Sequence, residues 1–102
     1  MSRPAVSEKP FREELPRLLE ERKETLRAVA RAIGGIDHAY LSRMVTGKVA
    51  VNPQHAERIA IHFGLPADYF PEVREAAVID AIRRSPRLRD SIYFSRIRKR
   101  SR

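Results

Sequence analysis

Apolar side chains recur every three or four positions along most of the chain, a spacing that predicts helices rather than strands. The clearest case is a pair of short segments, 26–33 and 38–46, separated by two glycines at 34–35. Thr25 and Asp37 stand just before these segments, where their side chains can accept hydrogen bonds from free amides of the first helical turn. Glycine reaches the left-handed conformation that ends a helix at little cost. The pattern therefore predicts two helices joined by a tight turn.

Five further segments are predicted to be helical, and proline limits where two of them begin. Proline is tolerated in the first turn of a helix, because it lacks the amide hydrogen that later turns require. We therefore expect the first helix to begin near Arg12 or Glu13, with Pro16 in about its first turn. Asn52 can cap a helix that starts at Pro53. The five predicted segments are 11–23, 53–63, 66–70, 72–84 and 86–98.

The segment 76–82 is apolar at every position except Asp80, which is more than the single stripe of an ordinary surface helix. Such a helix has to be covered on more than one side. We therefore expect the last two helices to form an interface between two copies of the chain. The residues expected in that interface are Val78, Ile79, Ile82, Leu88, Ile92 and Tyr93.

The stretch 25–48 carries a specific set of residues: Leu26, Val29, Ala30, Gly34, Tyr40, Leu41, Ser42, Arg43, Gly47 and Lys48. With these residues it resembles the helix-turn-helix of the lambda-repressor-like family, also called the xenobiotic-response-element family. The likeness extends from about position 11 to position 70.

The resemblance implies an all-α fold. We expect a lambda-repressor-like core of five helices that contains the helix-turn-helix, followed by two C-terminal helices that lie beyond the resemblance. The chain is then divided into four parts. These are a flexible arm over 1–10, a DNA-binding domain over 11–71, a helical extension for dimerisation over 72–98, and a basic tail over 99–102.

Three positions depart from the family's usual pattern. The turn with two glycines is one residue longer than is common. Val45 replaces a glutamate, and Leu19 replaces an arginine that commonly pairs with that glutamate. Because both members of the ion pair are replaced by apolar residues, we expect Leu19 and Val45 to contact each other. Two apolar groups avoid the desolvation cost of a buried ion pair.

In the family the second helix of the pair enters the major groove of DNA. Arginine can bind O6 and N7 of guanine with two hydrogen bonds, histidine can donate to a purine N7, and alanine can pack against a thymine methyl group. Arg43 could instead contact a phosphate or only water, and His38 could equally be a solvated side chain. The residues expected to read bases are His38, Ala39, Ser42 and Arg43.

Phosphate contacts are expected on both sides of this helix. Free amides and the helix dipole at the amino end of the first helix of the pair favour an anion. A second group of phosphate contacts is expected just after the second helix of the pair. Such contacts fix the position of the protein on DNA but carry little sequence information. The residues expected to contact phosphates are Thr25, Leu26, Arg27, Tyr40, Thr46, Gly47, Lys48, Asn52 and Gln54.

The net charge of +8 is concentrated at one end of the chain. Positions 96–102 hold five cations and no acid, which leaves 16 Lys and Arg against 13 Asp and Glu, or +3, elsewhere. A basic balance suits nucleic acid or an anionic membrane. We expect the basic stretch 96–102 to add affinity for DNA without specificity. The alternative is that this stretch is only solvated and aids solubility.

Composition argues against several other classes of protein. The chain has no cysteine, so it has neither disulfides nor a thiolate metal site. His55 and His62 lack a well-placed third ligand, so we expect no metal and no other cofactor. No catalytic triad and no glycine-rich phosphate loop is recognisable, and we expect no enzymatic activity. No apolar run approaches the ~18 residues of a membrane span and no signal peptide is visible, which makes a cytoplasmic protein the simplest interpretation.

These observations lead to one main hypothesis and one alternative. The main hypothesis is a sequence-specific DNA-binding transcriptional regulator, a repressor that binds a palindromic operator in double-stranded DNA as a homodimer. The alternative is a protein-interaction module that keeps the fold without DNA binding, or an antitoxin-type regulator that combines both activities.

Overall fold

Six α-helices make up most of residues 5–98, the part of the chain that the computed structural model describes. No strand occurs in this range, so the all-α fold expected from the sequence is confirmed. The last α-helix continues directly into a π-helical segment, Tyr93–Ile97. The α-helices are α1 (Phe11–Arg22), α2 (Leu26–Ile33), α3 (His38–Thr46), α4 (Pro53–His62), α5 (Pro71–Arg84) and α6 (Pro86–Ile92).

The first helix begins at Phe11, slightly earlier than its proline suggested, and Pro16 lies inside it. A contact from far along the chain fixes this start. Both carboxylate oxygens of Glu72, at the beginning of α5, accept a hydrogen bond from the Phe11 amide at 3.1 Å. The free amide at the start of α1 is thus satisfied by a tertiary contact, which no local sequence signal reveals.

The segment 66–70, predicted as a short fifth helix, is a turn instead. The Tyr69 amide donates to the Pro66 carbonyl at 3.0 Å, which closes a single turn. Pro71 then serves as the first residue of α5, whereas the pattern had placed that start at position 72. Tyr69 and Phe70 are buried, and the Phe70 ring meets Phe11 edge to face at 5.0 Å. Burial of these two rings holds the segment against the core, so the helix-turn-helix domain contains four helices and this turn.

A single apolar core joins the first four helices and the 66–70 turn. Helix α3 packs on α1 and α2, and α4 packs on α2 and α5. Burial of these side chains is what fixes the relative orientation of the helices. The buried apolar residues are Phe11, Leu15, Leu18, Val29, Ala30, Ile33, Leu41, Met44, Ala56, Ile59, Ala60, Phe63, Tyr69 and Phe70.

One buried carboxylate strengthens the contact between α1 and the 66–70 turn. Glu14 accepts hydrogen bonds from the Arg17 guanidinium, at 2.9 and 2.6 Å, and from the Tyr69 hydroxyl. The bonds from Arg17 lower the pKa of the Glu14 carboxyl below its ordinary value, and the bond from Tyr69 acts in the same direction. Burial and the neighbouring carboxylate raise the pKa of the Tyr69 hydroxyl. The charged form of Glu14 and the neutral form of Tyr69 are therefore the forms that the fold favours.

The amino-terminal segment is attached to the core at Ser7, which corrects the expectation that all of 1–10 is a flexible arm. Ser7 is buried, and its amide donates to the Tyr69 carbonyl at 2.9 Å. Arg74 on α5 donates to the Ser7 carbonyl at 2.7 Å. The rest of the predicted arm, 1–4, and the predicted basic tail, 99–102, lie outside the described residues.

Helices α5 and α6 and the π-helical segment contain no buried residue. Their large apolar side chains are open to solvent, with Val78 at 54% and Phe94 at 49% exposed. Helix α5 is held at its start by the core and at its end by α6. Within residues 5–98 the apolar surface expected to be buried is therefore covered only in part, since Ile82 and Ile92 are half-buried and the other expected interface residues are exposed.

Candidate nucleic-acid interface

Helix α2 is capped at both ends, and its carboxyl end is held by α4. The Thr25 hydroxyl accepts from the Ala28 amide at 3.1 Å, as the sequence predicted. Gly34 and Gly35 both have φ of +69°, a region that side chains disfavour, so the turn depends on glycine. The Arg58 guanidinium donates to the Ile33 carbonyl. A cation at the carboxyl end of a helix satisfies a free carbonyl and opposes the negative end of the dipole.

The amino end of α2 is positioned by contacts with the end of α4. His62 Nε2 lies 2.8 Å from Glu24 Oε1, directly before α2 begins. Arg22 donates to the Phe63 carbonyl at 3.0 Å. These contacts set the direction of the first-turn amides of α2, which have no partner inside the helix. Leu26 is half-buried against the core, so it can reach a phosphate only through its amide, whereas the Arg27 side chain is exposed.

Helix α3 has one buried face and one exposed face. The Asp37 carboxylate accepts from the Tyr40 amide at 2.7 Å and begins the helix. Leu41 and Met44 are buried in the core, as predicted. Because these two side chains and the cap fix the helix about its axis, the opposite face is presented to solvent in one orientation. The expected base-reading residues fall on or beside that face: His38, Ala39 and Arg43 are exposed and Ser42 is half-buried.

Arg43 does not stand alone on this face. Its guanidinium carbon lies 5.9 Å from the centre of the Tyr40 ring, within the range of a cation–π contact. The Tyr40 ring in turn meets the edge of His55 on α4, with 5.8 Å between ring centres. Tyr40 was expected to contact a phosphate. Its half-buried position between Arg43 and α4 shows that it also supports the arginine side chain.

At the carboxyl end of α3, several groups of the residues expected to contact phosphate are bonded within the protein. Gly47 has φ of +82°, and its amide bonds back to Met44 and Arg43 carbonyls. The Lys48 amide donates to the Arg43 carbonyl at 2.9 Å. The Thr46 hydroxyl donates to the Ser42 carbonyl at 3.0 Å. Since these groups are already bonded within the protein, the exposed Lys48 ammonium is the group here that remains available to a phosphate.

At the start of α4 the capping role of Asn52 is clear. Its side-chain oxygen accepts from the amides of Gln54, at 2.9 Å, and His55, at 3.3 Å. The nitrogen of its side-chain amide takes no part in these two bonds and is a donor that can meet a phosphate. Gln54 is exposed and its side chain is unrestricted by the cap.

Two arginines close to this surface were missed by sequence reasoning. Arg12 of α1 lies beside the end of α3, and a Cβ built on Gly47 would come within 3.2 Å of its Nη1. Arg58, described above, holds the glycine turn. Both positions look like ordinary solvated arginines in the helical pattern. Only the packing of α1 on α3 brings Arg12 beside the carboxyl end of α3, and only the packing of α2 on α4 brings Arg58 beside the glycine turn that precedes α3.

The exposed cations of this surface are not neutralised by the protein. Among residues 5–98, neither Arg27, Arg43 nor Lys48 forms an ion pair with a carboxylate. Unpaired cations flanking a helix that presents small and polar side chains are what a DNA backbone requires. The surface is therefore electrostatically suited to a polyanion.

Leu19 and Val45 lie on α1 and α3, which pack on each other, and both side chains are half-buried against the core. This placement is compatible with the predicted contact between them, which remains a prediction.

In a comparison with protein families, the family model described as Helix-turn-helix matches residues 17–70. That span covers more than half of the chain and contains the whole of α2, α3 and α4. Comparison with curated proteins and with solved structures finds no match. None of the helices in residues 5–98 combines the length and the hydropathy needed to cross a bilayer. In the same range no group of three or more His, Asp or Glu side chains is placed to hold a metal ion.

Proposed function

Because the chain belongs to the lambda-repressor-like helix-turn-helix family of DNA-binding regulatory domains, we propose that it is a repressor that binds a palindromic operator as a homodimer. The observation that carries the proposal is the exposed face of α3. It presents Arg43 without a carboxylate partner, on a helix whose two ends are capped and whose other face is buried.

In this proposal the exposed residues of α3 read bases in the major groove. Arg43 binds a guanine, and His38 and Ala39 contact neighbouring bases at the amino end of the helix. The amides at the start of α2, with Arg27, and the Lys48 side chain grip phosphates on either side. The contact of Arg43 with Tyr40 supports the first role, because an arginine already restrained loses less freedom when it binds a base.

The proposal of a homodimer is supported by the apolar surface of the C-terminal helices. Of the residues expected in the interface, Val78, Ile79, Leu88 and Tyr93 are exposed, and Ile82 and Ile92 are half-buried. Exposed apolar surface of this extent on a small chain marks an interaction site. Two-fold pairing would set two copies of α3 on successive major grooves, about 34 Å apart or a multiple of that distance.

The experiment that tests base reading compares Arg43→Ala with Lys48→Ala on a preferred duplex and on a scrambled one. Arg43→Ala is expected to cost about 1–3 kcal/mol on the preferred duplex and to relax the choice of one base pair. Lys48→Ala is expected to weaken both duplexes by a similar factor. If Arg43→Ala instead weakens both duplexes equally, Arg43 contacts a phosphate and does not read a base.

A second candidate function rests on the same apolar surface. A different protein could cover α5 and α6, as in an antitoxin-type regulator or a module without DNA binding. Titration of the purified chain with random duplex DNA separates DNA-binding proteins, including an antitoxin-type regulator, from an interaction module without DNA binding. Binding that weakens steeply with added salt supports a DNA-binding protein, and no binding at low salt supports the interaction module.

A further inference from the structure

A groove of about 520 Å³ lies between α5 and the connection that joins α3 to α4. Its apolar lining comes from Met44, Val49 and Val51 on one side and Ile79 on the other. The volume falls within the roughly 300–1,000 Å³ of cavities that bury a bound group of appreciable size. The groove adjoins the surface described above, because Gly47 also lines it.

The groove carries charge of both signs: Glu72 and Glu75 line it on α5, and Arg12 lines it on α1. The Glu72 carboxylate is engaged with the Phe11 amide, whereas Glu75 is exposed and, within residues 5–98, forms no ion pair with a cation. An occupant that combines apolar side chains with a cation directed toward Glu75, away from Arg12, would therefore match the lining.

The chain itself carries a segment of that chemistry. Positions 86–98 hold four arginines and one acid, Asp90, which is already paired with Arg89 at 2.9 Å. Between the arginines, Leu88, Tyr93 and Phe94 are 41%, 46% and 49% exposed. None of these three side chains lines the groove of its own chain, so the described residues, 5–98, leave both the segment and the groove exposed.

We propose that the groove of one copy receives Leu88, Tyr93 and Phe94 of a second copy, with Glu75 facing the arginines of the incoming segment. The exchange is reciprocal, so each copy supplies one groove and one segment. This docking rests on the homodimer proposed above and specifies how it forms. It gives three of the six expected interface residues a defined side of the contact: Ile79 lies in the groove, and Leu88 and Tyr93 lie in the segment.

The docking would also connect assembly with DNA binding. Gly47, Val49 and Val51 of the groove flank or adjoin Lys48 and lead to the Asn52 cap. A side chain packed against this connection would restrain it, so that the phosphate-contacting residues become ordered when two copies assemble.

Disulfide trapping tests the docking directly, because the chain has no cysteine of its own. Phe94→Cys is mixed in turn with Ala50→Cys, on the α3–α4 connection, and with Ala76→Cys, on α5, two positions that line the groove. Ile61→Cys is the matched control, since Ile61 is 60% exposed and lies outside the groove. Mild oxidation is followed by non-reducing electrophoresis, thermal melting verifies that each variant is folded, and sedimentation gives the mass of the unmodified protein.

The expected result is a disulfide between different variants at one or both groove positions, formed at least about tenfold faster than with the control, because docking raises the effective concentration of the thiols. A dimer in which neither groove position links to position 94 overturns the docking but leaves the homodimer intact. A strong self-link of Ile79→Cys would then show that α5 pairs with α5. A chain that remains monomeric at high micromolar concentration, alone and on DNA, overturns both the docking and the proposed homodimer.

Discussion

The two regions of this molecule, residues 11–70 and residues 71–98, differ in how far their apolar side chains are buried. In residues 11–70 the large apolar side chains other than Ile61 are buried or half-buried, and Phe70 has no exposed surface. In residues 71–98 most large apolar side chains are exposed to solvent. Phe94 also packs against an aromatic ring, that of Tyr93, yet half of its surface is exposed. The difference shows that the first region completes its own core, whereas the second has the apolar content of a core but leaves most of it exposed within residues 5–98.

The overall dimensions agree with this contrast. The radius of gyration of 16.3 Å exceeds the roughly 13 Å expected for a compact chain of about this length. The longest dimension of the molecule is 48 Å and the shortest is 25 Å. Such an elongated shape gives a larger surface than that of a compact chain, in agreement with the exposed apolar side chains of residues 71–98.

The largest effect is expected from truncating a matched pair of phenylalanines, one in each region. Phe70→Ala removes a fully buried ring that packs against Phe11 and Tyr69, and it should lower the free energy of unfolding by about 3–5 kcal/mol. Phe94→Ala should change the unfolding of the dilute monomer by no more than about 0.5 kcal/mol. Urea denaturation at low micromolar concentration measures both values.

Comparable losses for the two phenylalanine variants in the dilute monomer would remove the contrast between the regions. It would mean that residues 71–98 are covered by their own chain in solution.

A smaller but still large effect is expected on self-association from Ile79→Asp. Ile79 is 41% exposed and lies in the expected interface, so a carboxylate there would be buried only when two copies meet. We expect a loss of roughly 2–4 kcal/mol, or about 30- to 700-fold in the dimer dissociation constant. Sedimentation equilibrium measures this constant. Ile61→Asp, at a more exposed isoleucine on α4, is the control and should leave it unchanged.

Within the core, the contact predicted between Leu19 and Val45 can be tested by restoring charge. Val45→Glu alone should destabilise by roughly 1–3 kcal/mol, because an unpaired carboxylate would be partly buried beside α1. Adding Leu19→Arg should recover part of that loss if the two side chains meet. A double variant whose loss equals the sum of the two single losses would place the side chains apart.

The smallest expected effect is a pH dependence of the folding stability that arises from Glu14, in residues 11–70. The pKa of Glu14 is lower in the folded chain than its ordinary value of 4.5, so its contribution to stability is present above that value and is lost as the pH falls through the folded pKa. The stability difference between the parent and Glu14→Gln, measured by denaturation, should therefore shrink on acidification below about pH 4. An unchanged difference down to pH 2 would argue against an ionised Glu14 in the fold.

Local signals were sufficient for the helix-turn-helix. Each capping side chain bonds to an amide two or three residues later, so its effect is visible in the sequence; the caps are Thr25, Asp37 and Asn52. Helical spacing identified Leu41 and Met44 as core residues. The same signals failed where distant parts of the chain decide the outcome. The start of α1 depends on a side chain 61 positions away.

Two other features were equally hidden from local reasoning. Ser7 is buried because α5 and the 66–70 turn bond to its backbone, although its neighbourhood is rich in proline and poor in apolar residues. The 66–70 segment has the residues of a short helix but is shaped by the burial of its two aromatic rings. Arg12 reaches the end of α3, and Arg58 reaches the glycine turn before α3, only through helix packing, which a single helical pattern does not reveal.

The proposed function requires that α3 contacts bases and that residues 71–98 hold two copies together. Selection of bound sequences from a random duplex pool, carried out with the parent protein and with Ile79→Asp, tests both requirements. For the parent we expect an inverted repeat, with half-sites about 10 base pairs apart or a multiple of that spacing. For Ile79→Asp we expect the same bases in a single half-site, with weaker enrichment. No enriched motif, or one asymmetric motif shared by both proteins, would rule out the proposed function.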